Sequence, residues 1–225
     1  MEIKKPYVLF LGDVPDQLAA KTADGVADWR PDWCLGQVRL KGCNADCGLP
    51  DMTVAEARAK GGATLVVGVV NQGGFLPDHW IQTVVEAIEA GMDVASGLHS
   101  RLSSFPAIKA AAEVHGATLH DLRHPTRTFG TGKGVKRTGK RALTVGMDCS
   151  IGKKYTALAI ARELEARGVP NDFRATGQTG VLISERGIAI DAIVSDFIAG
   201  AAEWLSPDNA ADHWDVVEGQ GSLFH

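Results

Sequence analysis

One stretch limits what this chain can fold into more than any other. From Ala142 to Ala157 it reads Ala-Leu-Thr-Val-Gly-Met-Asp-Cys-Ser-Ile-Gly-Lys-Lys-Tyr-Thr-Ala. A short apolar run leads into a bend bounded by Gly146 and Gly152, and from Lys153 a helix-forming sequence extends to Arg167. The order strand, loop, helix N-terminus is that of an anion cradle. Glycine adopts φ > 0 and lets peptide N–H groups converge on an anion. The first N–H groups of the helix lack intrahelical acceptors and sit at the positive end of its dipole. Lys153 adds a mobile positive charge to that backbone.

The common phosphate loop, G-x-x-x-x-G-K-[ST], places a hydroxyl on Mg²⁺ directly after its lysine. Here five residues separate Gly146 from Gly152, and Lys154 stands where the hydroxyl belongs. Gly-Met-Asp-Cys-Ser-Ile-Gly-Lys-Lys resembles the longer loop of dethiobiotin synthetase and its relatives, G-x-D-x-x-V-G-K-T. The pattern points to phosphate binding more than to ATP hydrolysis, which needs a metal bridging the β- and γ-phosphates. Thr156 or Ser150 are the alternatives for a metal ligand.

Composition narrows the partner. The 225 residues hold one large or two small domains, and 45% hydrophobic residues suffice for buried cores. Lys plus Arg number 23 against 27 Asp plus Glu, a net charge of −4, so nothing suggests a nucleic-acid or membrane-surface binder. The expected partner is a small molecule. No apolar run approaches the ~20 residues of a membrane span, and Met-Glu-Ile-Lys-Lys-Pro lacks a signal-peptide core, so a cytoplasmic location is expected. Cys34, Cys43, Cys47 and Cys149 are too few for a disulfide scaffold. Cys43 and Cys47 have C-x-x-x-C spacing but no second pair at finger spacing, so they read as reduced loop cysteines and no structural zinc is expected.

Before the loop, strands and helices alternate. Tyr7–Leu11 reads as a buried strand, Asp13–Val26 as a helix closing at Gly25, and Trp33–Leu40 as a strand. Thr53–Ala59 is helical and Ala63–Val70 an unbroken apolar strand delivering Asn71-Gln72-Gly73-Gly74 to its C-terminal end. Such loops are where open α/β sheets bind ligands, so these glycines line a pocket or simply turn the chain. Asp78–Ala90 has helical period and stops at Gly91. Met92–Ala95 is a strand bringing His99 and Arg101 to the same edge, as candidates for acid-base work and carboxylate binding or as solvated surface residues. Phe105–His115 is a helix and Ala117–Leu122 a strand, followed by Arg123. The alternation predicts a doubly wound parallel sheet over 1–124. No G-x-G-x-x-G follows its first strand, which argues against a dinucleotide. Residues 125–140, with Pro125, several glycines and the basic Arg127, Lys133, Lys136, Arg137 and Lys140, read as a linker that is solvated or holds an anionic tail.

Residues 141–225 form the phosphate-loop domain. After the loop helix, Asn171–Thr176 is a strand leading to a Gln178-Thr179-Gly180 turn. Ile188–Val194 and Phe197–Trp204 continue the α/β pattern, and Trp214–Val217 is a strand ending in Glu218-Gly219-Gln220-Gly221-Ser222. Glu218, directly after an apolar strand, is where phosphate-loop proteins hold Mg²⁺ through a carboxylate.

The Lys153 loop, the Gln178 turn and the Glu218 turn match successive elements of the dethiobiotin synthetase-like branch. Asp16–Pro31, Gly146–Thr156 and Val217–His225 are similar, more closely, to the family of D-glutamate N-acetyltransferases. That resemblance covers essentially the whole chain. It implies a Rossmann-like N-terminal domain and a P-loop NTPase-like α/β domain, with acetyl-CoA as donor and D-glutamate as acceptor. Family chains continue past the Glu-Gly-Gln-Gly-Ser turn whereas this one stops at His225, so a truncation that leaves sheet edges unpaired and removes part of the active site is expected.

The chemistry fits the residues. Coenzyme A carries a pyrophosphate and a ribose phosphate that undergo no in-line attack, and Lys153 with Lys154 can neutralise them without metal. The cradle is assigned to Gly146, Ser150, Gly152, Lys153, Lys154 and Tyr155. Acyl transfer to an amine needs a base, donors for the tetrahedral oxyanion and an acid for the leaving thiolate. Asp148, Glu218 and His99 are the candidate bases, glycine-turn N–H groups the oxyanion donors, and Arg101, Arg123, Arg174 and Gln178 the substrate contacts. Cys149 at a helix N-terminus offers a covalent route, against which direct transfer is expected. An acetyl-CoA-dependent N-acetyltransferase is the reading of choice, without a metal and as a homo-oligomer. A Mg-ATP-dependent ligase or kinase and a non-catalytic nucleotide sensor are the alternatives.

Overall fold

The computed structural model describes residues 2–70 and 73–223. The chain divides into two compact units, residues 1–123 and 124–225. In the first, β1 (Tyr7–Gly12), β2 (Cys34–Arg39), β3 (Thr64–Val67), β4 (Asp93–Ser96) and β5 (Leu119–Asp121) form one parallel sheet in the order β2-β1-β3-β4-β5. Every residue of β1, β3 and β4 is buried, as expected of strands covered on both faces. The connecting helices are α1 (Lys21–Trp29), α2 (Val54–Ala59), α3 (Asp78–Glu89) and α4 (Pro106–His115). α3 packs against both α2 and α4, as right-handed crossovers in this strand order require, and the same rule assigns α1 to the opposite face.

Local sequence explains most boundaries. Thr53 and Glu56 form a reciprocal capping box at the start of α2, with Glu56 N–H donating to Thr53 Oγ1 at 3.2 Å and Thr53 N–H to Glu56 Oε2 at 2.8 Å. One expectation fails: the first helix does not close at Gly25 but continues to Trp29. Gly25 is buried with Thr22, Ala23 and Val26 against the sheet, and packing outweighs the ~1 kcal/mol helix cost of a glycine.

In the second unit, β6 (Lys140–Leu143), β7 (Asn171–Arg174) and β8 (Trp214–Val217) are parallel in the order β6-β8-β7. The helices are α5 (Lys153–Ala166), α6 (Gln178–Ser184) and α7 (Ile198–Leu205). Successive residues of β8 serve opposite faces: Val216 packs with Ala157 and Ala161 of α5, Val217 with Ala201 and Leu205 of α7. Gln178-Thr179-Gly180 is therefore not a turn, as the glycine suggested, but the first turn of α6, capped by Gly177. Residues of the basic 125–140 segment pack on α7. Lys133 and Gly134 N–H groups donate to Glu203 at 2.8 Å, and Phe129 joins the Ala201 core. Among the described residues no helix is long and apolar enough to cross a membrane.

Candidate active site

Parallel pairing of β6 with β8 delivers two loops side by side in the second unit. Thr144 N–H donates to the Val217 carbonyl at 3.1 Å, and Gly219 N–H donates to Thr144 Oγ1 at 3.1 Å. The approach is so close that a Cβ on Gly219 would overlap the Thr144 carbonyl oxygen. Further out, Leu223 N–H donates to the Met147 carbonyl at 3.0 Å and Ser222 Oγ to the same carbonyl at 3.2 Å. The loop reverses through two left-handed residues, Ser150 (φ 57°) and Gly152 (φ 99°), and Gly152 becomes the N-cap of α5. Alternating backbone hand of this kind builds anion-binding nests, and a glycine cap puts no side-chain oxygen in an anion's way.

Lys153 is the first residue of α5, and its ammonium crosses both loops, donating to the carbonyls of Asp148 (2.6 Å) and Gly221 (2.9 Å). The expected mobile charge is thus a fixed one, because the loop after β8 supplies an acceptor that the motif alone does not reveal. Lys154 is half-buried, with its Nζ 4.5 Å from the centre of the Tyr155 ring.

Glu218 is 4% exposed. Its Oε2 accepts the N–H groups of Thr176 (3.0 Å) and Gly177 (3.2 Å), and Thr176 Oγ1 donates to its carbonyl at 2.7 Å. Burial pushes its pKa above the usual glutamate range, against the pull of those two amides and of the Lys154 charge. Gly177 and Gly180 are glycines for this reason: a Cβ on Gly180 would lie 2.5 Å from Glu218 Oε2, and one on Gly177 2.6 Å from the Gln220 amide. Thr176, Gly177 and Gln220 were not singled out from the sequence; a glycine pair directly after a strand was the available signal. Gln178 follows these residues at the start of α6, half-buried.

Asp148 is exposed, and its Oδ1 accepts from Cys149 N–H at 2.6 Å and lies 3.2 Å from Ser222 Oγ. Those contacts shape the loop. Arg174 is no substrate clamp: its Nε binds Asp215 Oδ1 at 2.9 Å and its Nη2 binds Asp172 Oδ2 at 2.8 Å. Asp172, His213 and Asp215 bring three potential ligand atoms within 4.8 Å of one another. Besides Arg174, Asn209 donates to the fully buried Asp215 at 3.1 Å and Ser206 Oγ also donates to it, so this carboxylate serves protein donors.

In the first unit the C-terminal ends of β3 and β4 open into a cavity of about 190 Å³, walled in part by Gly73, Gly74, Leu98, His99 and Arg123. Asn71 and Gln72, expected beside those glycines, lie outside the described residues. His99 is exposed and its N–H donates to the Gly74 carbonyl at 2.7 Å. Arg123 donates from Nε to the Gly97 carbonyl at 2.9 Å. Arg101 is exposed and does not line the cavity. Nor did the sequence single out Asp13, which follows β1 and accepts from Trp80 Nε1 at 2.7 Å beside His79 Nε2 at 3.0 Å, bonds that lower its pKa.

A glycine-bounded loop between a parallel strand and a lysine-led helix, with a buried glutamate after the neighbouring strand, defines a phosphate-loop α/β protein, here preceded by a doubly wound unit. The comparisons agree. Residues 128–225 match a family described as a domain of unknown function, DUF1611_C, a P-loop domain, and residues 38–125 match DUF1611_N, a Rossmann-like domain. A D-glutamate N-acetyltransferase of Tritonibacter scottomollicae is 56% identical over 99% of this chain and 67% of its own length. One from a Pseudoalteromonas species is 49% identical over 100% of this chain and 68% of its own. A crystal structure of a DUF1611 family protein from Anabaena variabilis superposes with a TM-score of 0.87 at 28% identity, over 99% of this chain and 68% of that one. The chain belongs to the D-glutamate N-acetyltransferase family and spans about two thirds of the length of these relatives.

Proposed function

We propose that this protein transfers the acetyl group of acetyl-CoA to the amine of an acidic amino acid, D-glutamate. The observation that carries the reading is 56% identity, over 99% of the chain, to a relative named for that reaction. The loop supports it physically. A lysine at the metal-hydroxyl position suits a diphosphate that is held and not cleaved, which also disfavours a Mg-ATP-dependent ligase or kinase.

In this proposal the backbone of Gly146–Gly152 and the Lys153 ammonium hold the carrier's phosphates, and Ser150, Lys154 and Tyr155 flank them. Carrier phosphate oxygens replace the Asp148 and Gly221 carbonyls on Lys153. Glu218 is the base: a carboxylate whose pKa is raised by burial accepts a proton better at neutral pH than the exposed Asp148. It takes a proton from the substrate ammonium. The freed amine attacks the thioester carbonyl, the C–S bond breaks, and the proton shed by the attacking nitrogen goes to the departing thiolate, so that coenzyme A leaves as the thiol. No metal enters the scheme. A cytoplasmic homo-oligomer completes the proposal, the location supported by four unpaired cysteines.

The test is thiol release from acetyl-CoA on adding D-glutamate, measured in EDTA. Turnover that Lys153→Ala lowers at least about 100-fold is expected, the loss of two charge-assisted contacts. Turnover only with ATP and Mg²⁺, yielding ADP, would establish the ligase or kinase instead.

A further inference from the structure

We propose that the cavity at the C-terminal edge of the first unit's sheet is a seat for a small dicarboxylate, with Arg123 gripping one carboxylate. Position is the first argument. The cavity lies where adjacent parallel strands, β3 and β4, deliver their loops, the edge at which open α/β sheets take ligands. Its wall includes Gly73, Gly74 and Gly97, so main chain can approach a ligand closely there. Gly74 is left-handed at φ 61°, and a Cβ on it would overlap the His99 ring, which fixes that imidazole at the rim.

Size and charge decide the ligand class. About 190 Å³ falls below the ~300–1,000 Å³ of pockets that enclose drug-sized molecules, so a whole coenzyme A is excluded and a compact metabolite fits. Among the described residues that line it, the ionisable ones are His99 and Arg123, and none is acidic. The Gly97 carbonyl fixes the guanidinium plane through Nε at 2.9 Å, and a fixed plane is what bidentate carboxylate binding requires. Burial lowers the Arg123 pKa. Choosing a dicarboxylate as the ligand class rests on the function proposed above; the anion seat itself rests on the cavity.

Calorimetry on the full chain tests this, with D-glutamate and with glutarate as probes and coenzyme A as the reference ligand. Wild type is expected to bind both dicarboxylates. Arg123→Gln is expected to weaken them about 10- to 100-fold, the span of a lost charge-assisted pair, and Arg123→Lys to weaken them less. Coenzyme A affinity is expected to stay within about threefold, and Lys153→Ala to give the opposite pattern. Melting curves check that the variants fold. In the unaltered protein, glutarate is expected to protect Arg123 from an arginine-directed reagent, read by mass spectrometry. No dicarboxylate binding by wild type, unchanged binding in a folded Arg123→Gln, or absence of protection would overturn the proposal. Arg123-dependent glutarate binding without thiol release from acetyl-CoA would uphold the seat and defeat the acetyltransferase reading.

Discussion

Lys154 and Glu218 concentrate the residue-scale argument. Lys154 stands where related loops carry a metal-binding hydroxyl, and its charge pulls down the pKa of Glu218 that burial pushes up. In the proposed function a tethered ammonium takes the electrostatic role of a divalent ion. Lys154→Thr recreates G-K-T and is expected to make nucleotide binding Mg²⁺-dependent while weakening coenzyme A about tenfold, measured by titration with and without EDTA. Glu218 has its folded pKa raised, so its contribution to stability is present below the unfolded value and is lost as pH rises through the folded one. Glu218→Gln keeps an acceptor for Thr176 N–H but cannot ionise. Its melting temperature relative to wild type is expected to rise as pH increases above the ordinary glutamate range, while turnover falls at least about 100-fold. A melting difference that does not change with pH would contradict the assignment.

At the scale of elements, the two loops of the second unit act as one piece because β6 and β8 pair in register, Leu143 opposite Val217. Gly219→Ala would drive a methyl into the Thr144 carbonyl, main chain against main chain with no flexible side chain to yield. It is expected to cost more than about 2 kcal/mol in denaturant unfolding, whereas Gly130→Ala, whose Cβ meets nothing within 4 Å, is expected to stay within about 0.5 kcal/mol. Thr53→Ala, which breaks the α2 capping box, is expected to cost about 1 kcal/mol in the same measurement. Strands such as β1 and β3 are legible because unbroken apolar runs follow from burial on both faces. Glu218 was legible as a carboxylate at a strand end. What pairs with it is not, because Gly180 reads in the sequence as a helix breaker, whereas it is small to leave room for Glu218 and Ala175. Lys153 is found by its motif, while one of its two carbonyl partners, Gly221, comes from a loop 68 residues away in sequence. The Asp13 and Trp80 contact spans 67 residues and has no local signature.

For the whole molecule, two parallel sheets with separate cores divide the chemistry by unit. The proposed phosphate cradle and its proposed base lie in residues 124–225, and the proposed anion seat in residues 1–123. Coenzyme A is therefore expected to slow amide hydrogen exchange at residues 144–156 and 218–223, and a dicarboxylate at residues 97–99. The net charge of −4 makes the cation cradle a local feature in an acidic molecule, so its affinity for phosphates is expected to fall as salt screens Lys153 and Lys154. The central claim, that this loop grips an acyl carrier's diphosphate without magnesium, is tested most directly by titrating coenzyme A into the full chain and its Lys153→Ala variant in EDTA. Binding to the wild type that the variant loses is the expected result; binding the variant keeps, or binding seen only for ATP with Mg²⁺, would contradict it.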